Sequence, residues 1–226
     1  MSILDTEMAR RWAEDDMHKD TEGFSRSMDM LKNKHKIYYI MGKSATGKDT
    51  IFQQLLLRLP LERILMYTTR PMRSGEHDGV TYNFVSDSAF RMMLAHRDIA
   101  EYRYYAVGRK NIWYYFTPRA ELDTSKHSRI GIGTPESFNK LWREYGSKLV
   151  PIYIYADDTA RFLRAVGREY HETEPNWFEL CRRYVADEQD FDEMSIGHIQ
   201  NRFENNNLEA CVQQICKFIE QEEGIC

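Results

Sequence analysis

The sequence predicts an α/β fold in which helices flank a parallel sheet, with a small inserted β lobe and a helical lid. Three observations lead to this prediction. A strand, a glycine loop and a helix follow one another at residues 37–59. Apolar strand-like segments then alternate with helical ones, which is typical of a parallel sheet covered on both faces. Aromatic strand-like segments at residues 80–116 interrupt this alternation and indicate the inserted lobe.

The first of these features is the glycine loop, which reads Gly42-Lys43-Ser44-Ala45-Thr46-Gly47-Lys48-Asp49-Thr50. The apolar segment Ile37–Met41 precedes it, and a helix-forming segment stopped by Pro60 follows it. In this context G-x-x-x-x-G-K predicts the phosphate-binding loop of a P-loop NTPase core. Backbone N–H groups and the helix N-terminus would bind phosphate, and Lys48 would contact the β- and γ-phosphates. We therefore expect residues 42–50 to bind ATP and Lys48 to be catalytic; a turn that only caps a helix is the alternative.

The loop departs from the usual pattern at the position after Lys48. A Ser or Thr hydroxyl that binds Mg²⁺ normally follows the lysine directly. Here Asp49 takes that position and the hydroxyl comes one residue later, at Thr50. We expect Thr50 to be the magnesium ligand, with Asp49 as a second candidate.

The other elements follow in order along the chain. Thr134 and Pro135 form a good helix start, because threonine caps helices and proline suits the first turn. The segment Leu149–Tyr155 is the clearest buried strand. Further strands are predicted at residues 64–68, 82–85, 99–105, 112–116, 130–132 and 199–203, and further helices at 88–96, 159–168, 177–191 and 208–222.

The composition fits one compact domain. The chain has 226 residues, and we predict an N-terminal extension at residues 1–34 before a domain at 35–226. Lys plus Arg is 31 and Asp plus Glu is 35, so the net charge of −4 does not favour general nucleic-acid binding. No apolar run approaches the roughly 20 residues of a membrane span, and the N-terminus lacks a signal-peptide core. The four cysteines show no C-x-x-C spacing, as expected for a reducing cytoplasm.

A second informative segment runs from Thr68 to Phe84. Arg70 and Arg73 lie in a loop punctuated by Pro and Gly, where paired guanidinium donors can converge on one phosphate, and Tyr82 adds a hydroxyl. The alternative is a solvated loop in which these arginines pair with Glu76 and Asp78.

This segment, Thr68-Thr69-Arg70…Arg73-x-Gly75-Glu76-x-Asp78-Gly79-x-x-Tyr82-x-Phe84, resembles the acceptor-binding signature of guanylate kinases. The resemblance covers about residues 36–222. It implies a kinase that transfers the γ-phosphate of ATP to GMP with Mg²⁺, and whose acceptor lobe spans about residues 70–117. It also implies that Arg70, Arg73 and Tyr82 hold the GMP phosphate, while Glu76 braces their loop.

Two further segments resemble the same family. Ile99-Ala100-Glu101-Tyr102 resembles the segment whose glutamate accepts hydrogen bonds from guanine, although an exposed strand carboxylate is an equal alternative for Glu101. The segment Asn111–Pro118 resembles N-Y-Y-G-S/T-P, which implies that Tyr115 contacts the acceptor phosphate and Thr117 the base. Phe116 stands where glycine is usual.

A cluster of arginines predicts the lid, at about residues 160–185. Arg164 and Arg168 are four residues apart and share one helix face. They match the family pattern R-x-x-G-R, and Arg183 matches its later arginine, so the resemblance implies that all three neutralise the transferring phosphoryl group. Surface pairing with nearby carboxylates is the alternative.

The largest departure from the family lies at Gly131 and Gly133. Guanylate kinases carry aspartates at both positions, for the Mg²⁺ shell and the guanine pocket. We expect Asp49 to replace part of that acidic function, with Asp187, Glu188 and Asp190 as other candidates.

Three hypotheses for the function remain. The first is a guanylate kinase-like phosphotransferase that acts on ATP and GMP, as a monomer or homodimer, without nucleic acid or membrane partners. The second keeps the fold and resembles ribose 1,5-bisphosphate phosphokinases, whose loop also reads G-K-D-[ST]. The third is a guanylate kinase-like scaffold domain that binds peptides without catalysis, against which Gly47, Lys48 and the lid arginines count.

Overall fold

The structure is a computed structural model that describes residues 35–73, 75–107, 111–192 and 196–225. The expected N-terminal extension at residues 1–34 lies outside the described residues. The strands are β1 (Ile37–Met41), β2 (Glu62–Arg63), β3 (Tyr67–Thr68), β4 (Asn83–Phe84), β5 (Ile99–Val107), β6 (Asn111–Pro118), β7 (Arg129–Ile132), β8 (Leu149–Tyr155) and β9 (Arg202–Glu204). The α-helices are α1 (Lys48–Arg58), α2 (Asp87–Ala95), α3 (Pro135–Tyr145), α4 (Asp158–Tyr170), α5 (Trp177–Asp190) and α6 (Leu208–Glu223).

The main sheet has five parallel strands in the order β2-β7-β1-β8-β9. Strand β1 lies at its centre, where Ile37 pairs with both Arg129 and Leu149. All five residues of β1 are buried, because helices cover both faces of the sheet. The prediction of a parallel sheet flanked by helices is therefore confirmed.

Each face of β1 has its own core. On one face, Tyr38 and Ile40 pack with apolar residues of α1 and α6, including Leu55 and Val212. On the other face, Ile37, Tyr39 and Met41 pack with α3 and with the segment around Ile199, a cluster that includes Phe138, Leu141 and Phe191. The alternation follows from the two-residue period of a strand.

A second sheet, in the order β4-β3-β6-β5, forms where the aromatic segments interrupt the alternation. Strands β5 and β6 are its long antiparallel pair, and Phe90 of α2 packs on it against Ile99 and Phe116. The single strand predicted at residues 64–68 is wrong. The chain instead forms β2 in the main sheet and β3 in the second sheet, so this segment carries the connection between the two sheets.

Most predicted helix starts coincide with a capping side chain. Thr134 accepts a hydrogen bond from the Ser137 N–H and begins α3, as the sequence indicates. Asp157, Asn176 and Asn207 cap α4, α5 and α6 in the same way. None of the described helices combines the length and apolar composition that crossing a bilayer requires.

Candidate functional site

The glycine loop follows β1 and leads into α1. Gly47 begins the helix with φ of 87°, a conformation that glycine adopts without steric cost, and Ala45 also has a positive φ, of 61°. At Gly42 a Cβ atom would lie 2.5 Å from the Ile154 carbonyl oxygen, so only glycine fits beside β8. The glycines of the predicted motif are therefore required by the local backbone.

Asn205, which follows β9, fixes the second half of the loop. Its side-chain amide donates to the Thr46 carbonyl over 2.7 Å, and its backbone N–H donates to the Tyr155 carbonyl over 2.8 Å. The amide nitrogen also lies 2.4 Å from the place of a Cβ at Gly47. No described residue hydrogen-bonds to the buried Oδ1 atom of Asn205. The sequence does not predict a role for Asn205, because only the pairing of β8 with β9 brings it to the loop.

Asp187 of α5 and Arg161 of α4 hydrogen-bond to the first half of the glycine loop. The Ser44 N–H donates to the Asp187 carboxylate over 2.7 Å, and the Arg161 Nε donates to the Ser44 carbonyl over 3.1 Å. Arg161 also pairs with Asp187 over 3.2 Å and with Asp158. We call Arg161 and Asp187 the loop clamp, since they hold both backbone groups of Ser44.

The residues that follow Gly47 face outward in the first turn of α1. Lys48 is partly exposed, and no described side chain forms an ion pair with its ammonium group. Asp49 and Thr50 are both exposed. Lys43, by contrast, pairs with Glu188 of α5 over 2.6 Å. The ammonium of Lys48 is thus available to an added anion at the N-terminus of α1, where the helix dipole also favours negative charge.

In the loop between β3 and β4, Glu76 contacts both predicted phosphate ligands, Arg70 and Arg73. Arg70 is 4% exposed and donates to both carboxylate oxygens of Glu76, over 2.6 and 2.5 Å. The Arg73 N–H donates to the same carboxylate over 2.8 Å. The Arg70 hydrogen bonds hold the pKa of Glu76 at about 2. This geometry fits the expected bracing by Glu76. The pairing of Arg70 with Glu76 is also what the alternative predicts, but Arg70 is buried and not solvated.

Tyr82 and Tyr115 lie together beside these arginines. Their rings meet edge to face at 5.8 Å, and the Arg70 guanidinium lies 5.2 Å from the centre of the Tyr82 ring. Burial raises the pKa of the Tyr82 hydroxyl, while the positive charges of Arg103 and Arg70 oppose that rise. The structure therefore places two tyrosine side chains close to two arginine side chains, Arg70 and Arg103.

Glu101 is buried, with 3% of its surface exposed, which excludes the alternative of a solvent-facing strand carboxylate. The Thr117 hydroxyl donates to one of its oxygens over 2.8 Å, and the Ser137 hydroxyl donates to the other over 3.0 Å. Two hydroxyl groups on a buried carboxylate fix its orientation and leave lone pairs for further donors. The structure therefore brings Glu101 and Thr117 together, as the resemblance implies.

Neighbouring side chains leave little room for a side chain at Gly131 or Gly133. A Cβ at Gly133 would lie 1.8 Å from the hydroxyl oxygen of Tyr39, and a Cβ at Gly131 would lie 3.1 Å from Ile64. Tyr39 of β1 thus occupies the space into which a side chain at position 133 would extend. Burial, followed by the charge of Glu101, raises the pKa of the Tyr39 hydroxyl, so this group is neutral. A neutral hydroxyl, not a carboxylate, stands at this end of β7.

The three predicted lid arginines, Arg164, Arg168 and Arg183, have different surroundings. Arg183 donates to Glu179 over 2.9 Å on α5, which is the surface pairing given as the alternative. Arg182 binds the same carboxylate, and the Arg182 hydrogen bonds, followed by that of Arg183, lower the pKa of Glu179 to about 2. Arg164 donates to the Asn205 carbonyl over 2.9 Å, and Arg168 is exposed.

An open cleft of about 1920 Å³ joins these parts. Its lining includes Ser44, Arg73, Glu101, Tyr115, Arg183 and Asp187. The cleft therefore connects the glycine loop with the second sheet and with α5. Lys48, Arg164 and Arg168 are not among the residues that line it, so of the four predicted catalytic residues only Arg183 lines the cleft.

The residues present fit a magnesium ion that is held mainly by a nucleotide. No group of three or more His, Cys, Asp or Glu side chains that could hold a metal occurs among the described residues. Thr50 and Asp49 offer exposed oxygen atoms of the kind that Mg²⁺ prefers, and Mg²⁺ commonly takes one or two protein ligands beside phosphates and water. Asp187, the other nearby carboxylate, already accepts from Ser44.

The fold is α/β, with a glycine loop between β1 and α1, and comparison with known proteins finds similarity to guanylate kinases. A guanylate kinase family model matches residues 34–121. The chain is 24% identical over 192 residues to the guanylate kinase of Zymomonas mobilis subsp. mobilis, which covers 82% of this chain and 83% of that protein. It is 28% identical over 172 residues to the guanylate kinase of Thermobifida fusca, which covers 70% of this chain and 81% of that protein. The crystal structure of guanylate kinase from Anaplasma phagocytophilum has the same fold, with a TM-score of 0.58 at 19% identity over 84% of this chain and 86% of that chain. The chain is thus similar to guanylate kinases over most of its length.

Proposed function

We propose that this protein is a guanylate kinase that transfers the γ-phosphoryl group of ATP to GMP and releases ADP and GDP. The observation that carries the proposal is the buried carboxylate of Glu101, held by Thr117 and Ser137 in the cleft that also exposes Ser44 and Arg73. Guanine offers two adjacent N–H donors on one edge, and a fixed carboxylate matches them. A base contact and a phosphate loop in one cleft suit a kinase with a nucleotide acceptor.

The chain's own residues would bind and align two phosphate groups. The glycine loop, residues 42–50, binds the phosphates of ATP with its N–H groups, and Lys48 contacts the phosphoryl group that is transferred. Arg73, Tyr82 and Tyr115 hold the phosphate of GMP, while Arg70 with Glu76 shapes their loop. Alignment of the two phosphates and neutralisation of their charge would supply most of the rate enhancement, without a covalent intermediate.

The lid arginines enter this scheme only after a movement. We propose that α4 and α5 approach the cleft when ATP binds, so that Arg164, Arg168 and Arg183 reach the transferring phosphoryl group. Arg183 would exchange Glu179 for phosphate, and closure would exclude water from the reaction.

We propose Thr50, with Asp49, as the protein side of a magnesium site. When it is bound, the ion neutralises charge on the β- and γ-phosphates of ATP. Because only these two exposed groups are offered, the ion would enter together with the nucleotide. We further propose that the enzyme acts on free nucleotides in the cytoplasm, as a monomer or homodimer.

A panel of phosphoryl acceptors with ATP and Mg²⁺ tests the proposal. ADP release should be fastest with GMP, slower with AMP and absent with ribose 1,5-bisphosphate. No ADP release with GMP would refute the proposed reaction, and release with ribose 1,5-bisphosphate instead would identify the second hypothesis. Calorimetry with Mg²⁺–ATP separates both from a scaffold domain, since a scaffold that lacks a working loop should produce no heat of binding.

A further inference from the structure

Three polar side chains of the second sheet that line the cleft, Glu101, Arg103 and Tyr115, belong to two alternate pairs of one strand ladder. In the β5–β6 ladder, Glu101 pairs with Thr117 and Arg103 pairs with Tyr115. Residues two apart on a strand point to the same face, so both pairs face the same way. At a rise of about 3.3 Å per residue, the two pairs are separated by about 7 Å.

Arg103 is held in place, and it interacts electrostatically with Glu101 and Asp190 without an ion pair to either of them. One terminal nitrogen donates to the Thr134 hydroxyl over 2.7 Å, and the guanidinium lies 5.9 Å from the centre of the Tyr115 ring. Its Nε atom is buried and has no hydrogen-bond partner among the described residues. No described carboxylate forms an ion pair with it, whereas Arg70 and Arg183 each have a glutamate. A buried donor without a partner in a ligand cleft is a site where a bound group is expected.

We propose that Arg103 binds the phosphate of the acceptor nucleotide together with Tyr115, two ladder positions away from the base contact of Glu101. The Glu101–Thr117 pair would then contact the base, and the Arg103–Tyr115 pair would bind the phosphate. The proposal rests on the proposed function, in that the acceptor is a nucleoside monophosphate. Arginine suits this role because its planar donors match phosphate oxygens.

Comparing the affinities for GMP and guanosine isolates the contribution of the phosphate to binding. We expect Arg103→Met to weaken GMP binding about 10- to 100-fold, the range for loss of a hydrogen bond between charged groups. Guanosine lacks the phosphate, so its affinity should change by less than about 2-fold. Arg103→Lys should recover part of the GMP affinity, because it restores the charge without the paired donors. Calorimetry measures both ligands, and KM for GMP should rise more than kcat falls.

Arg143→Met is the matched control, because Arg143 also lines the cleft but lies on α3 and not on the ladder. It should leave GMP affinity within about 2-fold of the wild type. Equal losses of GMP and guanosine affinity in Arg103→Met would overturn the proposal, since they would indicate a role in the base pocket or the fold. Unchanged GMP affinity would overturn it as well.

The wild-type assay separates this proposal from the proposed function. If the wild type releases no ADP with GMP, the function fails, and inorganic phosphate then serves as the probe for Arg103. Millimolar phosphate should raise the melting temperature of the wild type and raise that of Arg103→Met by less. An equal rise in both would refute phosphate binding by Arg103. If Arg103→Met does not fold, Arg103→Gln takes its place in every arm.

Discussion

The loop clamp gives the sharpest prediction on stability. Arg161 is 1% exposed and Asp187 is 12% exposed, so replacing Asp187 with Ala leaves a buried guanidinium and an unpaired Ser44 N–H. Breaking a buried ion pair costs about 3–5 kcal/mol. Arg161 keeps Asp158 and the Ser44 carbonyl, so we expect the low end, about 3 kcal/mol. For a protein of this size that corresponds to a melting temperature lower by about 6–12 °C.

Urea unfolding followed by circular dichroism measures this loss, and Asp158→Ala is its control. Asp158 binds the same guanidinium, but its side chain is 74% exposed, so its removal should cost less than about 1 kcal/mol. An Arg161→Leu, Asp187→Leu double variant should recover most of the stability, because no buried charge remains. The reasoning is refuted if Asp187→Ala costs no more than Asp158→Ala, or if the two substitutions in the double variant are additive within about 0.5 kcal/mol.

Three further predictions concern the loop, the end of β7 and acid stability. Lys48→Ala should lower the rate of ADP formation about 100-fold or more, because it removes charge from the transferring phosphoryl group; near-normal turnover would contradict the mechanism. Gly133→Ala should destabilise the fold by about 1–3 kcal/mol, since the added Cβ would clash with Tyr39. Urea unfolding measures this loss, which should be smaller in a Tyr39→Leu background. If the losses of the two substitutions are additive, the clash with Tyr39 is not their cause. Glu76 has its pKa lowered from 4.5 to about 2 by Arg70, so its stabilising effect is complete above about pH 4.5 and is lost as the pH falls towards 2. Melting temperatures between pH 5 and 2 should therefore fall less steeply for Glu76→Gln than for the wild type, and parallel curves would contradict the ion pair.

The sequence revealed those parts of the fold that depend on local pattern. The buried strand Leu149–Tyr155 and the helix start at Thr134 both match the structure, since each is set by neighbours along the chain. The strand expected at residues 64–68 is different. Its apolar run is uniform, and nothing local shows that Arg63 belongs to one sheet and Tyr67 to another. Sheet membership is a tertiary property that the run does not encode.

In the candidate site, too, the sequence predicts the residues that are close along the chain and not those that the fold brings together. The glycine loop and the Arg70–Tyr82 segment could be found because their residues are close in sequence and their spacing carries the chemistry. Asp187, Arg161 and Asn205 reach the loop from helices and a strand more than 100 residues away. Asp187 was one of several carboxylates that could compensate for Gly131 and Gly133, but the sequence could not place it. The role of Tyr39 was invisible for the same reason.

The central position of β1 has a consequence for the synthesis of this protein. Strand β1 is apolar throughout, and its neighbours β7 and β8 follow only after about 90 and 110 further residues. At about 5–20 residues per second, the ribosome needs roughly 5–20 s to deliver β7 after β1. During that interval β1 has no strand partner in the main sheet, and an unpaired apolar strand is prone to aggregation. The inserted second sheet, which makes the cleft, therefore also lengthens the time for which the nascent chain is exposed.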